Sequence, residues 1–247
     1  MRTIVIGASS GLGRCIGIDR GRRGDQVALL ARRADLLSEA AKEAGDAAVA
    51  IGCDVTDEAS CRAAIGQAVA ALGGLDALVY ATGVGTLRRV IDTDATEWQR
   101  SFATNVIGAS IATAAAMPHL EETAGVVAYL STVQGQLTPP WPGLGAYAVS
   151  KAALNKLIEV WRAEHPKVGF TCLTVGECGG GEGDGVSQFA NSWDGDLAGE
   201  LMPIWVERHY MTGLLVEVDE ILRTVDGVLA LGATASIPSV TVMPRHQ

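Results

Sequence analysis

The chain has 247 residues, 48% of them hydrophobic, and a formal net charge of −9. That content supports a substantial core, and no apolar run approaches the roughly 18–20 residues needed to span a bilayer. The acidic balance, with no basic cluster larger than Arg20-Gly21-Arg22-Arg23 or Arg32-Arg33, argues against nucleic acid and anionic membrane as partners. Met1-Arg2 leads directly into Thr3-Ile4-Val5-Ile6, too short for the apolar region of a signal peptide. Cys15, Cys53, Cys61, Cys172 and Cys178 are odd in number and lack C-x-x-C spacing, which fits a reduced, cytoplasmic protein. His119, His165, His209 and His246 are far apart, so no metal site is expected.

Thr3 to Ile6 reads as a short strand. Gly7-Ala8-Ser9-Ser10-Gly11-Leu12-Gly13 follows it, and then a helical stretch to about Arg23. Strand, glycine turn and helix is the layout that lets a backbone approach a pyrophosphate seated on a helix N-terminus. The spacing is G-x-x-x-G-x-G, and a plain structural turn is the competing reading. Gln26 to Ala31 is a continuous apolar run, as in a buried parallel strand, and ends in Arg32-Arg33. In dinucleotide folds a carboxylate at that point binds the ribose 2′-hydroxyl, whereas an arginine accommodates a 2′-phosphate. No carboxylate comes before Asp35, so the arginines favour the phosphate; two solvated side chains starting a helix are the alternative.

Further on, the pattern predicts a helix over 35–45, a strand over 47–53 running into Asp54-Val55-Thr56-Asp57, and a helix capped by Asp57 to about Gly73. A fourth strand spans 75–80 and continues into Ala81-Thr82-Gly83. A long helix covers 94–117, carries the polar Asn105 on a mostly apolar face, and meets Pro118 near its end. The fifth strand, 126–130, leads into Ser131-Thr132-Val133-Gln134-Gly135.

In Tyr147-Ala148-Val149-Ser150-Lys151 a phenol and an ammonium stand four residues apart in a stretch with helical spacing and no Gly or Pro. Positions i and i+4 share a helix face. A neighbouring cation favours the phenolate, which makes the pair a candidate acid–base group. An exposed helical turn is the plain alternative. A sixth strand spans 168–175 and ends at Gly176. Residues 176–213 are first glycine-rich and acidic, then rich in large apolar residues: Phe189, Trp193, Met202, Trp205 and Met211. A helix over 218–231 and a strand over 239–243 close the chain.

The alternation predicts one doubly wound, mostly parallel α/β sheet over 1–247, Rossmann-like, with a substrate lid at about 176–213. Ligands in such sheets bind beyond the carboxyl ends of the strands. Gly7–Gly13, Arg32, Asp54, Ala81–Gly85, Ser131-Thr132 and Gly176 all follow strand ends and converge there.

Over nearly its whole length the chain resembles the short-chain dehydrogenase/reductase family. The residues that carry this are Gly7-x-x-x-Gly11-x-Gly13, Asp54, Asn105, the Ser131-Thr132-x-x-Gly135 turn and Tyr147-x-x-x-Lys151. The resemblance implies a nicotinamide-dependent oxidoreductase interconverting a small-molecule carbonyl and a secondary alcohol. Tyr147 would exchange a proton with the substrate oxygen. Lys151 would bind the nicotinamide ribose and lower the Tyr147 pKa, and Asn105 would hold a relaying water. Thr132 stands where the family has its catalytic serine, with Ser131 as runner-up. The cofactor wall would comprise Gly7, Ser9, Ser10, Gly11, Leu12, Gly13, Arg32, Arg33, Asp54, Val55, Ala81, Thr82, Gly83, Tyr147, Lys151 and Gly176. NADP is favoured over NAD.

Three departures stand out. Tyr80-Ala81-Thr82-Gly83 replaces Asn-Asn-Ala-Gly, so the asparagine bonds that brace the sheet should be missing. Val175-Gly176 replaces Pro-Gly, without the threonine that usually follows. The glycine loop with Glu177, Glu182 and Asp184 brings carboxylates near the expected phosphates, and it should be mobile. These departures leave a catalytically weak dinucleotide sensor as the alternative function. The family's usual assembly implies a homodimer or homotetramer, packed through Gly108, Ala109, Ala112, Ala115, Ala152 and Ala153.

Overall fold

A computed structural model describes residues 1–181, 183–211 and 213–245, apart from the Asp184 side chain. Glu182 and that side chain, two of the expected loop carboxylates, therefore lie outside the described residues. Seven strands form one sheet in the order β3-β2-β1-β4-β5-β6-β7, and every pairing is parallel. They are β1 (Arg2–Ile6), β2 (Gln26–Ala31), β3 (Ala48–Gly52), β4 (Ala77–Tyr80), β5 (Val126–Thr132), β6 (Gly169–Val175) and β7 (Ser239–Val242). This is the doubly wound architecture that the alternating pattern implies.

Successive side chains on a strand point to opposite faces, and both faces are covered here. Ile4, Ile6, Leu78, Tyr80, Val127, Tyr129 and Phe170 pack on one side against α3 (Glu58–Leu72), α5 (Gly108–Thr123) and α6 (Gly145–Glu164). Val5, Val27, Leu29, Val79 and Leu173 pack on the other against α1 (Gly11–Arg22), α2 (Ala34–Ala44) and α8 (Val218–Leu229). Central strands buried on both faces explain the continuous apolar runs in the sequence. Asp57 caps α3, accepting the Ser60 amide at 3.0 Å. Among the described residues no helix is long and apolar enough to cross a membrane.

The long helix expected over 94–117 is three pieces: α4 (Ala95–Phe102), a π turn (Ala103–Ile107) and α5. The helix also continues past Pro118 to Thr123. Pro118 is exposed, so water can solvate the carbonyl it leaves without a donor. Leu120 is buried in the core, and the Thr123 hydroxyl donates to the Leu75 carbonyl at 2.8 Å, which holds the last turn. Half of the small-residue face assigned to subunit packing needs correction, whereas Ala115, Ala152 and Ala153 stay at least partly exposed. Gly108, Ala109 and Ala112 are buried within the chain, where α5 packs close to β4 and α3.

The segment after β6 contains α7 (Gly195–Glu207), capped by Asp194 through the Leu197 amide at 2.9 Å. Leu201 and Trp205 of α7 join Leu87 and Leu144 in a small third core, against which Trp141, Phe189, Trp193 and Met211 pack. The glycine-rich part is a hydrogen-bonded turn: Gly181 N–H donates to Gly185 O at 2.8 Å, and Ser187 N–H to Gly179 O at 2.9 Å.

At the amino ends of the strands Asp25 is almost fully buried. It accepts the Arg20 guanidinium at 2.6 and 2.7 Å and the Thr3 hydroxyl at 3.0 Å, and Arg20 also reaches Asp226 of α8 at 2.6 Å. Asp25 thus ties β1 to α1, and Arg20 carries the tie on to α8. Removing one partner of a buried pair strands the other charge. Asp25→Ala should therefore lower unfolding free energy by about 3–5 kcal/mol in urea titration. A loss under about 1 kcal/mol would show that Asp226 alone satisfies Arg20.

Candidate active site

The strand carboxyl ends open into a cleft of about 770 Å³. Gly7 takes φ +89°, and a Cβ there would lie 2.7 Å from the Thr82 backbone nitrogen, so only glycine lets the first turn pass this close to the strand beside it. Ser10 precedes α1 in extended conformation and makes no side-chain cap bond. The first amides of α1 are thereby left to an anion. Ser9, Ser10, Gly11 and Leu12 line this end of the cleft with Asp54, Val55, Ala81, Thr82, Gly83 and Gly176. Gly13 does not; a Cβ there would strike the Gly7 carbonyl carbon at 2.9 Å, so its role is close packing of α1 on β1.

Arg32 and Arg33 both line the cleft but differ in partners. The Arg33 guanidinium donates to Ser9 Oγ at 2.9 and 3.1 Å and to Ser10 Oγ at 2.5 Å. Arg32 faces Asp54 and helps hold its carboxyl below the usual range, behind the stronger bonds from the Thr56 amide and hydroxyl. Of the two arginines, Arg33 is the one set over the glycine turn.

At the other end stand Tyr147 and Lys151, on the first turns of α6. Burial pushes the Tyr147 phenol up to about 12, opposed by a hydrogen bond from the Thr132 hydroxyl. Burial pushes Lys151 down to about 8, with Cys172 nearby acting the other way. The Lys151 ammonium donates to the Leu130 carbonyl at 2.8 Å. Burial dominates the phenol, and the Lys151 ammonium is turned to the strand.

β5 extends two residues beyond its expected end, so Ser131 and Thr132 alternate across it. The Ser131 hydroxyl donates to Asn155 Oδ1 at 2.6 Å. The Thr132 hydroxyl faces Tyr147. Of the two candidates, only Thr132 meets the phenol. Asn105 is fully buried behind Gly83 rather than in the cleft wall: a Cβ at Gly83 would lie 3.4 Å from Asn105 Oδ1 and from Lys151 Nζ. Its side chain donates to Val84 O at 2.9 Å and Ser150 Oγ at 2.8 Å and accepts the Val84 amide at 2.8 Å. With both amide hydrogens and one carbonyl lone pair used, it acts as a clamp between the loop after β4 and α6.

The large apolar residues of the 176–213 stretch were legible in sequence as a group, but which of them reach the site was not. The Phe189 ring lies 4.6 Å from the Tyr147 ring, centroid to centroid, at 57°. Trp193 stacks edge-on to Phe189 at 5.5 Å and donates its indole N–H to Gly85 O at 3.2 Å. Met211 and Leu215 extend this apolar wall, whereas Trp205 is buried in the third core and Met202 is exposed. Phe189 and Trp193 are over forty residues from Tyr147 in sequence, so only tertiary contact reveals the pairing.

Residues 2–181 match the family model described as short chain dehydrogenase. The chain belongs to that family. It is 31% identical over 179 residues to 11-beta-hydroxysteroid dehydrogenase A of Sesamum indicum, a match covering 70% of this chain and 51% of that protein. It is 36% identical over 155 residues to a Xanthobacter autotrophicus protein named inactive 2-(S)-hydroxypropyl-CoM dehydrogenase 2, covering 62% of this chain and 66% of that one. The chain thus spans between half and two thirds of these relatives' length. Among solved structures, a short-chain dehydrogenase from Streptomyces avermitilis is 26% identical with TM-score 0.82, over 97% of this chain and 86% of that one. An alcohol dehydrogenase from Thermococcus sibiricus, solved with 5-hydroxy-NADP, shares the fold at TM-score 0.81 and 22% identity, over 97% of this chain and 94% of that one. The family match ends before α7.

The site's burial has a testable thermodynamic consequence. Lys151 binds its proton less tightly folded (about 8) than its ordinary value of 10.5. Between those values the unfolded chain holds more protons, so stability rises with pH across the window. Wild type should gain up to about 3 kcal/mol relative to Lys151→Met between pH 8 and 10.5. Parallel stability–pH curves for the two proteins, measured in urea, would contradict the burial of a charged Lys151.

Proposed function

We propose that the chain is an NADP(H)-dependent oxidoreductase that interconverts a carbonyl and a secondary alcohol. The observation that carries this is the Tyr147 phenol against the Thr132 hydroxyl, in the same cleft as the bare N-terminus of α1. The residues present fit a dinucleotide: glycine where a Cβ would collide, uncapped helix amides for a diphosphate, and Arg33 with Ser9 and Ser10 for a further phosphate. When bound, the nicotinamide would supply or accept the hydride.

The chain's own residues would handle the proton. Tyr147 keeps its proton to about pH 12, so at neutral pH it is set to give that proton to a carbonyl oxygen, which is the reductive direction. Thr132 would hold the same oxygen by its hydroxyl. Lys151, with a pKa near 8 in a dry site, can hand on a proton near neutrality. Phe189, Trp193, Met211 and Leu215 would admit an apolar substrate, and residues 176–213 would act as its lid. Exposed Ile107, Val149 and Val160 offer apolar area for a homodimer or homotetramer.

One observation favours a second reading, a dinucleotide sensor without turnover. Phe189 stands where it covers the Tyr147 ring, and a ring fixed there would exclude substrate. NADPH titration combined with NADPH oxidation against a carbonyl panel separates the two. Turnover is expected, and Tyr147→Phe should abolish nearly all of it while NADPH affinity stays within a few-fold; turnover retained within tenfold would remove Tyr147 from the chemistry.

Cofactor choice gives an independent test. Charge-assisted bonds from a guanidinium to the 2′-phosphate exist only for NADP(H). Arg33→Ala should weaken NADPH binding by ten- to a hundredfold and leave NADH binding nearly unchanged, given about 1.5–3 kcal/mol for such a bond. Arg32→Ala should do less, because Asp54 already faces Arg32. Equal dissociation constants for NADH and NADPH on the wild type would make both arginines solvated side chains.

A further inference from the structure

Tyr80 ends β4 at the position where the resemblance led us to expect a missing asparagine brace. It is fully buried, and its hydroxyl donates to the Thr104 carbonyl at 2.6 Å. Thr104 lies in the π turn, where the Gly108 amide binds the Ala103 carbonyl five residues back instead of the Thr104 carbonyl four back. Gly108 permits the approach: a Cβ there would lie 2.9 Å from the Tyr80 hydroxyl and 2.8 Å from the Val55 carbonyl. A tyrosine on the strand, a glycine on the helix and a one-residue widening of the helix therefore converge on one hydrogen bond.

The residue after Thr104 is Asn105. Its side-chain amide grips both backbone groups of Val84 and the Ser150 hydroxyl, and that hydroxyl donates to the Tyr147 carbonyl at 2.8 Å. A continuous path of hydrogen bonds thus runs from β4, through the π turn, to the turn of α6 that bears Tyr147 and Lys151. An α-helical turn would rotate Asn105 about its axis and break three bonds whose partners are fixed by other elements.

We propose that Tyr80 is a positioning residue, which through the Thr104 carbonyl sets the π turn that holds Asn105 against Val84 and Ser150 and so fixes the turn carrying Tyr147. The kinetic part of this inference rests on the oxidoreductase reading; the geometric part does not. Tyr80→Phe removes only the hydroxyl. The chain has three asparagines, at positions 105, 155 and 191, so selective ¹⁵N-asparagine labelling gives three side-chain amide signals. The Asn105 signal is identified by its absence in Asn105→Asp. In Tyr80→Phe that signal should shift or broaden while the signal of exposed Asn191 stays in place. An unmoved Asn105 signal would overturn the proposal whether or not the protein turns over any carbonyl.

With NADPH and the best carbonyl of the panel, Tyr80→Phe should lower kcat about tenfold, as small misplacements of catalytic groups do, with NADPH affinity within twofold. The same substitution made in Asn105→Ala should have no further effect on kcat, because its action passes through Asn105. Equal losses in both backgrounds would reduce Tyr80 to a general stabiliser and overturn the role. Should Tyr80→Phe fail to fold, Gly108→Ala, which displaces the hydroxyl from the opposite side, should produce the same Asn105 shift; no shift there would count equally against it. Absence of any turnover by wild type would defeat the oxidoreductase reading and leave the labelled-asparagine result to decide this one.

Discussion

Everything in this protein depends on seven strands running in one direction. A parallel sheet needs a crossover after each strand, and the crossovers here cover both faces with helices. All carboxyl ends therefore share one edge, and every strand delivers its following loop to the same cleft. β1 lies between β2 and β4, with Ile6 paired to Leu30 and to Tyr80. That register puts the glycine turn beside Ala81–Gly83. The Gly7 amide bonds the Leu30 carbonyl at 2.8 Å, and the Ala81 amide bonds the Ile6 carbonyl at 2.9 Å. The cleft is an outcome of strand pairing before any side chain is considered.

Dryness governs the reacting end. Lys151 is buried and Tyr147 half-buried, and burial drives their nearly equal ordinary proton affinities apart: the phenol up to about 12, the ammonium down to about 8. Neutral forms are favoured for both, as desolvation requires. What keeps such a site ordered is a dense set of buried hydrogen bonds, in which Asn155 Nδ2 alone of the groups named here lacks a partner. Lys151 has the Leu130 carbonyl, Asn105 has Val84 and Ser150, and Ser131 has Asn155. An unpaired polar group at this depth would cost about 1–3 kcal/mol. The partners come from β5, the π turn, α6 and the loop after β4, so the site is rigid only as an assembly.

The segment between residue 181 and α8 is built on a different principle. Its framework is a chain of aromatic contacts, from Tyr147 to Phe189, Trp193, Trp205 and Trp141. Indole nitrogens pin it, Trp193 to Gly85 O and Trp205 to Pro142 O at 3.0 Å. Such contacts are adaptable in a way that a β ladder is not. The segment lines the cleft through Phe189, Trp193 and Met211 while remaining outside the sheet.

The amino-acid order by itself determined what is local. Period-two and continuous apolar runs marked the strands, glycine marked the turn whose φ it alone tolerates, and Asp57 marked its own helix start. Adding the alternation rule placed Gly7–Gly13, Arg32, Asp54, Ala81–Gly85, Ser131-Thr132 and Gly176 at one edge. Tertiary structure decided whatever depends on side-chain direction and on distant partners. Ser131 and Thr132 are equivalent by sequence, yet one faces Asn155 and the other Tyr147, because the exact end of β5 sets the alternation. Arg32 and Arg33 are likewise adjacent, and only the turn after β2 aims the second at Ser9 and Ser10. The break of one long helix at Ala103–Ile107 has no local signal, since its cause is a hydroxyl on β4, twenty-four residues earlier in the chain. Propensity acts between neighbours along the chain; a buried hydrogen bond acts between neighbours in space, and only folding makes the two sets meet.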